Sequence, residues 1–134
     1  MTKFNSILLV EDDAIATIVC ERVLKINNYT NNIISKENGK EAIKYIQTLL
    51  NNNEPLLEVI LLDINMPVMN GWDFLQEYET LITQIKQPPL VFILSSTANP
   101  EDYSKATLFY FVKDFIPKPF KIEHLKLIDS YKEN

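Results

Sequence analysis

Three short, unbroken runs of apolar residues are the clearest pattern along the chain. They cover Ile7–Val10, Val59–Leu62 and Leu90–Leu94, and they are rich in isoleucine, leucine and valine. Apolar runs of this length are typical of strands that are buried on both faces, as in a parallel sheet covered by helices on each side. The pattern therefore predicts three central strands of one sheet.

Between these runs, apolar residues recur at the spacing of amphipathic helices. One such segment extends from about Ala14 to Asn27, and a second extends from about Gly39 to Asn51. The apolar face predicted for the first helix consists of Ile15, Ile18, Val19, Val23, Leu24 and Ile26. The face predicted for the second consists of Ala42, Ile43, Ile46, Leu49 and Leu50.

Side chains that can cap a helix mark where four of the helices begin. Asp13 precedes the first helix, and Asn38, Asn70 and Asn99 precede later ones. The three asparagines are each followed by an acidic residue within one turn, and Asn99 is also followed by a proline. Both features are typical of helix N-termini, where free backbone N–H groups need acceptors.

Two weaker strands complete the pattern. Asn31–Glu37 has few apolar residues and Asp114–Pro117 is stopped by a proline, so both suit the edges of a sheet. A last helix is predicted from about Lys121 to Lys132. Five alternating strands and helices with weak second and fifth strands predict an α/β fold, a flavodoxin-like (βα)5 doubly wound parallel sheet of strand order 2-1-3-4-5.

Length and composition narrow the class of protein. The chain has 134 residues, of which 46% are hydrophobic and 23% are charged, as expected of one soluble globular domain over residues 1–134. The net charge of −5 argues against nucleic acid as a partner, because a nucleic-acid-binding domain usually presents a basic face. With only two glycines, the chain also lacks a glycine-rich phosphate-binding loop.

The number of cysteines and the lengths of the apolar runs indicate the cellular compartment. Cys20 is the single cysteine and cannot form an internal disulfide; it is predicted to be a small core residue. The sequence has no signal-peptide pattern and no apolar run of the length that spans a bilayer. We therefore expect a cytoplasmic protein with no membrane insertion.

Polar and charged residues follow the predicted strands at the edge where ligands bind in this class of sheet. Glu11 and Asp12 follow the first strand, Asp63 follows the third, Ser95 ends the fourth and Lys118 follows the fifth. Three carboxylates beside one ammonium leave an excess of negative charge, which a bound cation would relieve. Carboxylate oxygens suit Mg²⁺, and a phosphoryl group is the expected second ligand of that ion.

Four ordered segments at these strand ends resemble one family. They are ILLVEDD at 7–13, LDINMPVMNG at 62–71, ILSS at 93–96 and FIPKPF at 115–120, and together they resemble the response regulator receiver domain of two-component signalling. The resemblance covers the whole chain. It implies a single receiver domain over 1–134, without an output domain, that acts in a phosphorelay and is not an enzyme.

The resemblance also implies roles for the acidic residues. Asp63 would be the phosphoacceptor, which attacks a phosphoryl group carried by a histidine and forms an aspartyl phosphate. Asp12 would bind Mg²⁺ directly, and Glu11 would bind it through water or orient it. The backbone carbonyl of Asn65 would complete the protein ligands. The implied phosphodonor is a sensor histidine kinase or a histidine phosphotransfer protein.

A switch is implied by the same resemblance. Lys118 would pair with Asp63 at rest and with the phosphoryl oxygens afterwards, while the Ser95 hydroxyl would move to bond one of those oxygens. That movement would open space for the Phe115 ring and change the face formed by helix 4, strand 5 and helix 5, which a downstream effector protein would read. Asn65 and Thr97 would tune the phosphoryl lifetime, and the Lys118–Pro119 bond is expected to be cis.

Two other functions are weighed against this interpretation. A receiver-like binding module that is never phosphorylated would be expected to lack Asp12, Asp63 or Lys118, and the chain has all three. An Mg²⁺-dependent phosphohydrolase with an aspartate nucleophile would generally have a second aspartate two residues later, where this chain has Asn65. The aromatic segment 109–111 is left open: it either covers the sheet or projects towards a partner.

Overall fold

The structure is a computed structural model that describes residues 3–66, 69–83, 85–96 and 99–132. A parallel five-stranded sheet forms the centre of these residues. The strands are β1 (Ile7–Val10), β2 (Ile33–Lys36), β3 (Val59–Asp63), β4 (Leu90–Ser95) and β5 (Val112–Pro117). The helices are α1 (Ala14–Ile26), α2 (Gly39–Asn51), α3 (Gly71–Leu81), α4 (Pro100–Ala106) and α5 (Glu123–Ser130). The sheet order is β2-β1-β3-β4-β5, which confirms the predicted flavodoxin-like α/β fold.

The central strands are buried on both faces, as their unbroken apolar runs predict. Alternate side chains of β1, β3 and β4 enter two separate core clusters, one on each side of the sheet. The cluster under α2 and α3 contains Leu8, Val10, Ile60, Leu62, Val91 and Ile93. The cluster under α1 and α5 contains Ile7, Leu9, Val59, Leu61, Phe92 and Leu94.

The strand β5 begins two residues before the predicted start, and its pairing with β4 is irregular. Val91 pairs with Val112, but the next residue, Phe92, pairs with Asp114. Lys113 is therefore an extra residue in β5 at this point, the two-against-one arrangement of a β-bulge. Beyond it, Phe115 packs on the same core cluster as Val112.

The predicted caps are confirmed at all four helices. The Asp13 and Asn99 side chains each accept a hydrogen bond from the backbone N–H two residues later, at 3.0 Å. Asn38 and Asn70 each accept one from the residue three positions later, at 2.9 Å. The helix α5 has no side-chain cap and is shorter at both ends than predicted.

The apolar face predicted for α1 is wrong for three residues. Ile15, Ile18 and Ile26 are 73%, 53% and 77% exposed, whereas Cys20 and Leu24 are the buried residues of this helix. Eight of the residues from 15 to 26 are apolar, counting Ala16 and Cys20, and they cover too much of the helix circumference to define one buried stripe. Only the arc around Cys20 and Leu24 meets the sheet.

The aromatic residues 109–111, whose position the sequence left open, differ in burial. Phe109 and Phe111 are buried in the core cluster under α2 and α3, whereas Tyr110 is 65% exposed.

None of the helices in the described parts of the chain combines the length and the hydropathy needed to span a bilayer.

Candidate functional site

The carboxylates of Glu11, Asp12 and Asp63 meet at the carboxyl edge of the sheet. One oxygen from each lies within 4.8 Å of the others. Glu11, which follows β1, and Asp63, the last residue of β3, are buried, whereas Asp12 is exposed. The parallel strands β1 and β3 are neighbours, and Val10 pairs with Leu62, so the side chains that follow these two residues lie close together.

Burial has a direct electrostatic effect on Glu11. Loss of solvent raises the pKa of its carboxyl from 4.5 to about 7, and Asp63 adds to the rise while Lys118 opposes it. Below about pH 7 the neutral form of this carboxyl is favoured, and a further positive charge nearby would favour the carboxylate. The three acids together therefore form a donor set suited to a hard divalent cation.

The ammonium of Lys118 is the counter-charge of the site. Its Nζ lies 2.8 Å from Glu11 Oε1, as an ion pair rather than an aligned hydrogen bond, and 3.5 Å from Asp63 Oδ2. Burial lowers the pKa of Lys118, but the two carboxylates outweigh this effect and the net shift is upward. The sequence predicted a pair with Asp63, and the structure places Lys118 between both acids and nearer to Glu11.

The backbone fixes Lys118 relative to Ser95. The Lys118 N–H donates to the Ser95 carbonyl oxygen at 2.9 Å, and the Lys118–Pro119 peptide bond is cis, as expected. Ser95 is buried at the end of β4. The predicted hydroxyl and ammonium are thus on adjacent strand ends, next to the strand that carries Asp63.

The loop after β3 is held close to the sheet by a glycine. The Asn65 N–H donates to Asp63 Oδ1 at 3.1 Å, which orients the carboxylate, and the Asn65 side chain is exposed. The Gly71 N–H donates to the Ile64 carbonyl oxygen at 3.1 Å. A Cβ at Gly71 would lie 2.5 Å from Ile64 Cα, so this approach requires glycine.

The predicted switch residue Phe115 is half-buried, and its ring contacts a residue that the sequence analysis missed. The Phe115 and Tyr103 ring centroids are 4.2 Å apart. A second missed contact joins α4 to α3, where Lys105 Nζ lies 4.9 Å from the Trp72 ring centroid. Residue spacing does not predict either contact, because the two residues of each pair are far apart in sequence. Thr97, predicted to tune phosphoryl lifetime, lies outside the described residues.

The comparison with protein families agrees with this fold and this acidic site. Residues 7–128 match the response regulator receiver domain, and the chain belongs to this family. Receiver domains are signalling modules of two-component systems that bind Mg²⁺ at an acidic pocket. In general they interact with histidine kinases or phosphotransfer proteins and with downstream effectors.

Two relatives are longer than this chain. The protein-glutamate methylesterase/protein-glutamine glutaminase of Methanococcus maripaludis is 30% identical over 113 residues, which cover 84% of this chain and 28% of that protein. Response regulator SaeR of Staphylococcus aureus is 27% identical over 121 residues, covering 90% of this chain and 47% of SaeR. The chain therefore spans less than half the length of these relatives.

Solved structures show the same fold. A two-component response regulator from Cytophaga hutchinsonii is 29% identical with a TM-score of 0.80, covering 96% of both chains. The receiver domain of sensor histidine kinase PA1611 from Pseudomonas aeruginosa, solved with magnesium in its active-site cleft, is 22% identical. Its TM-score is 0.73, and the match covers 92% of this chain and 93% of that one.

Proposed function

We propose that this chain accepts a phosphoryl group on Asp63 from a histidine kinase or a histidine phosphotransfer protein, and then signals to a downstream effector protein. The observation that carries the proposal is the surroundings of the Asp63 carboxylate. Lys118 lies 3.5 Å from one of its oxygens, and Glu11 and Asp12 are within 4.8 Å. Such a site supplies a fixed nucleophile together with groups that bind phosphoryl oxygens.

The donor set fits Mg²⁺. Glu11, Asp12, Asp63 and the backbone carbonyl of Asn65 would hold the ion, and a bound cation would favour the charged form of the Glu11 carboxyl, whose pKa is raised by burial. When bound, the ion would neutralise charge on the phosphoryl oxygens. The other parts of the reaction would be carried out by side chains and one backbone N–H of this chain.

In the transfer, an Asp63 carboxylate oxygen forms a P–O bond as the P–N bond of the donor phosphohistidine breaks. The electron pair of the broken bond stays on the histidine nitrogen. The Asn65 N–H keeps the other Asp63 oxygen in place at 3.1 Å. Lys118 lies close enough to turn from Glu11 towards the phosphoryl oxygens and stabilise their charge.

The signal would pass through Ser95 and Phe115. Ser95 ends β4 next to Lys118, and its hydroxyl would move to bond a phosphoryl oxygen. Phe115, on the neighbouring strand β5, would then change its position and with it the face formed by α4, β5 and α5. The effector would read this face.

The proposal is tested by incubating the chain with acetyl phosphate and Mg²⁺ and measuring its intact mass. We expect a gain of one phosphoryl group that needs Mg²⁺ and is absent in Asp63→Asn. Asp73→Asn, which alters an exposed aspartate in the first turn of α3, is the matched control and should be phosphorylated normally. A wild-type chain that gains no mass with Mg²⁺ present would contradict the proposal and favour a module that is never phosphorylated.

The same reactions test the phosphohydrolase alternative. The residue two positions after Asp63, where such a hydrolase would generally have its second aspartate, is Asn65, which has no carboxyl group to act as acid or base. We therefore expect no sustained release of phosphate from unrelated phosphate esters. Multiple turnovers on such substrates would support hydrolase activity instead.

A further inference from the structure

The short helix α4 has little buried surface to hold it in place. It spans seven residues, Pro100–Ala106, all of them described, and Ala106 is the buried one. The Tyr103 and Lys105 side chains are exposed in large part, yet each contacts an aromatic ring on another element. These two contacts and the buried Ala106 connect the helix to the rest of the domain.

The two contacts point in different directions. The Tyr103 ring lies against Phe115 of β5, with centroids 4.2 Å apart and an interplanar angle of 42°. Lys105 Nζ lies over the Trp72 ring of α3, 4.9 Å from its centroid. Aromatic pairs and cation–π contacts at this distance are attractive, but each contributes only modestly at a partly exposed site.

Trp72 is close in the chain to the proposed phosphoacceptor. It follows Gly71, whose N–H is bonded to the carbonyl oxygen of Ile64, the residue after Asp63. The Lys105 contact therefore joins α4 to the first turn of α3, which is hydrogen-bonded next to the strand end that carries the reactive carboxylate. The other end of α4 begins at the cap Asn99, four residues after Ser95.

We propose that Lys105 is a positioning residue: its contact with Trp72 holds α4 in the resting arrangement and is released when Asp63 is phosphorylated. This inference rests on the proposed function. A phosphoryl group that draws the Ser95 hydroxyl inward also moves the start of α4, and charge-assisted hydrogen bonds are stronger than one exposed cation–π contact. The contact thus sets how readily the domain leaves its resting state.

Trp72 supplies a direct readout, because it is the single tryptophan of the chain. Fluoroberyllate with Mg²⁺, which imitates a phosphoryl group on a carboxylate, should change the Trp72 emission of the wild-type protein. Lys105→Met retains the aliphatic part of the side chain and removes the charge. In this variant, we expect the emission to differ before fluoroberyllate is added and to change little on addition.

Affinity gives the second readout. A contact made only in the resting state opposes fluoroberyllate binding, so Lys105→Met should bind it about two- to fivefold more tightly in calorimetric titrations, the effect expected of one exposed cation–π contact. Lys105→Arg preserves a cation over the ring and should restore wild-type affinity. Lys40→Met, at an exposed position on α2, is the matched control and should leave affinity unchanged.

The outcomes separate this inference from the function on which it rests. A protein that takes up a phosphoryl group on Asp63 but shows no change in Trp72 emission overturns the inference and leaves the proposed function standing. Unchanged fluoroberyllate affinity in Lys105→Met overturns it too. A protein that forms no adduct with acetyl phosphate overturns both.

Discussion

The Lys118 ammonium lies 2.8 Å from Glu11 Oε1 and 3.5 Å from Asp63 Oδ2, so it is closer to the buried glutamate than to the proposed phosphoacceptor. Both carboxylates are nearly inaccessible to solvent, and Lys118 is 22% exposed. One ammonium thus compensates two buried acids. This arrangement ties the stability of the domain to the charge balance of its site.

Removing the ammonium tests that relationship. Lys118→Met leaves Glu11 and Asp63 facing each other without a counter-charge, and we expect the free energy of unfolding at pH 8 in EDTA to fall by about 1–3 kcal/mol. Urea unfolding followed by circular dichroism measures the loss. Mg²⁺ should restore more stability in this variant than in the wild type.

The control for this experiment is Lys126→Met, at an exposed position on α5. It should change stability by less than about 0.5 kcal/mol. Equal losses in the two variants would show that Lys118 does not compensate the buried acids.

The pKa of Glu11 predicts how stability depends on pH when Mg²⁺ is absent. Between pH 4.5 and about 7 the folded protein retains the Glu11 proton while the unfolded chain has released it. Stability should therefore fall as the pH rises through this range, by up to about 3 kcal/mol. Urea unfolding in EDTA at several pH values measures this slope.

Glu11→Gln removes the titrating group, so its unfolding free energy should fall less steeply than that of the wild type between pH 5 and 7. Parallel profiles for the two proteins would be evidence against a raised Glu11 pKa. Mg²⁺ should flatten the wild-type profile, because the ion favours the charged carboxylate.

The two glycines differ sharply in what a methyl group would meet. At Gly71 a Cβ would lie 2.5 Å from Ile64 Cα and 3.0 Å from the Asp63 carbonyl oxygen, so the backbone next to the proposed phosphoacceptor must shift. We expect Gly71→Ala to cost about 3 kcal/mol or more and to slow phosphorylation by acetyl phosphate.

Gly39→Ala is the comparison. A Cβ at Gly39 would lie 3.0 Å from both the flexible Met69 side chain and the Met69 carbonyl oxygen, which is less close than the 2.5 Å contact at Gly71. Alanine is also favoured over glycine in a helix by about 1 kcal/mol. We therefore expect a smaller loss of stability at Gly39 than at Gly71. Similar melting temperatures for the two variants would refute the prediction.

A buried tyrosine joins the end of α1 to α5. The Tyr29 hydroxyl donates to the Leu125 carbonyl oxygen at 2.6 Å and also contacts the Asp129 carboxylate. Tyr29→Phe should cost about 1–2 kcal/mol, because it leaves a buried carbonyl without this donor. Tyr110→Phe, at an exposed ring, should cost almost nothing when measured by the same thermal unfolding.

The strand order and the position of the site could be predicted because both depend on local signals. Continuous apolar runs identify buried strands, and residues at their carboxyl ends must meet at one edge of a parallel sheet. The packing of α1 could not be predicted in the same way. Helical spacing identifies a wide apolar arc, but the sheet determines that Cys20 and Leu24 are buried while Ile15 and Ile18 are exposed.

The sequence also could not predict which side chains from different elements contact each other. The preference of Lys118 for Glu11 depends on differences of less than an ångström between two acids that are both within reach. The Lys105–Trp72 contact depends on where α4 lies relative to α3. Such distances are set by the packing of whole elements, which residue spacing does not encode.

The extra residue Lys113 in β5 determines which way the strand's later side chains point. Side chains alternate between the faces of a strand, so a strand without the bulge would have Val112 and Phe115 on opposite sides. The bulge reverses the phase of the strand and returns the Phe115 ring to the side of α4 and Tyr103. An insertion or deletion of one residue here would therefore turn the Phe115 side chain to the opposite face of the sheet, whereas most substitutions would leave it on the same face.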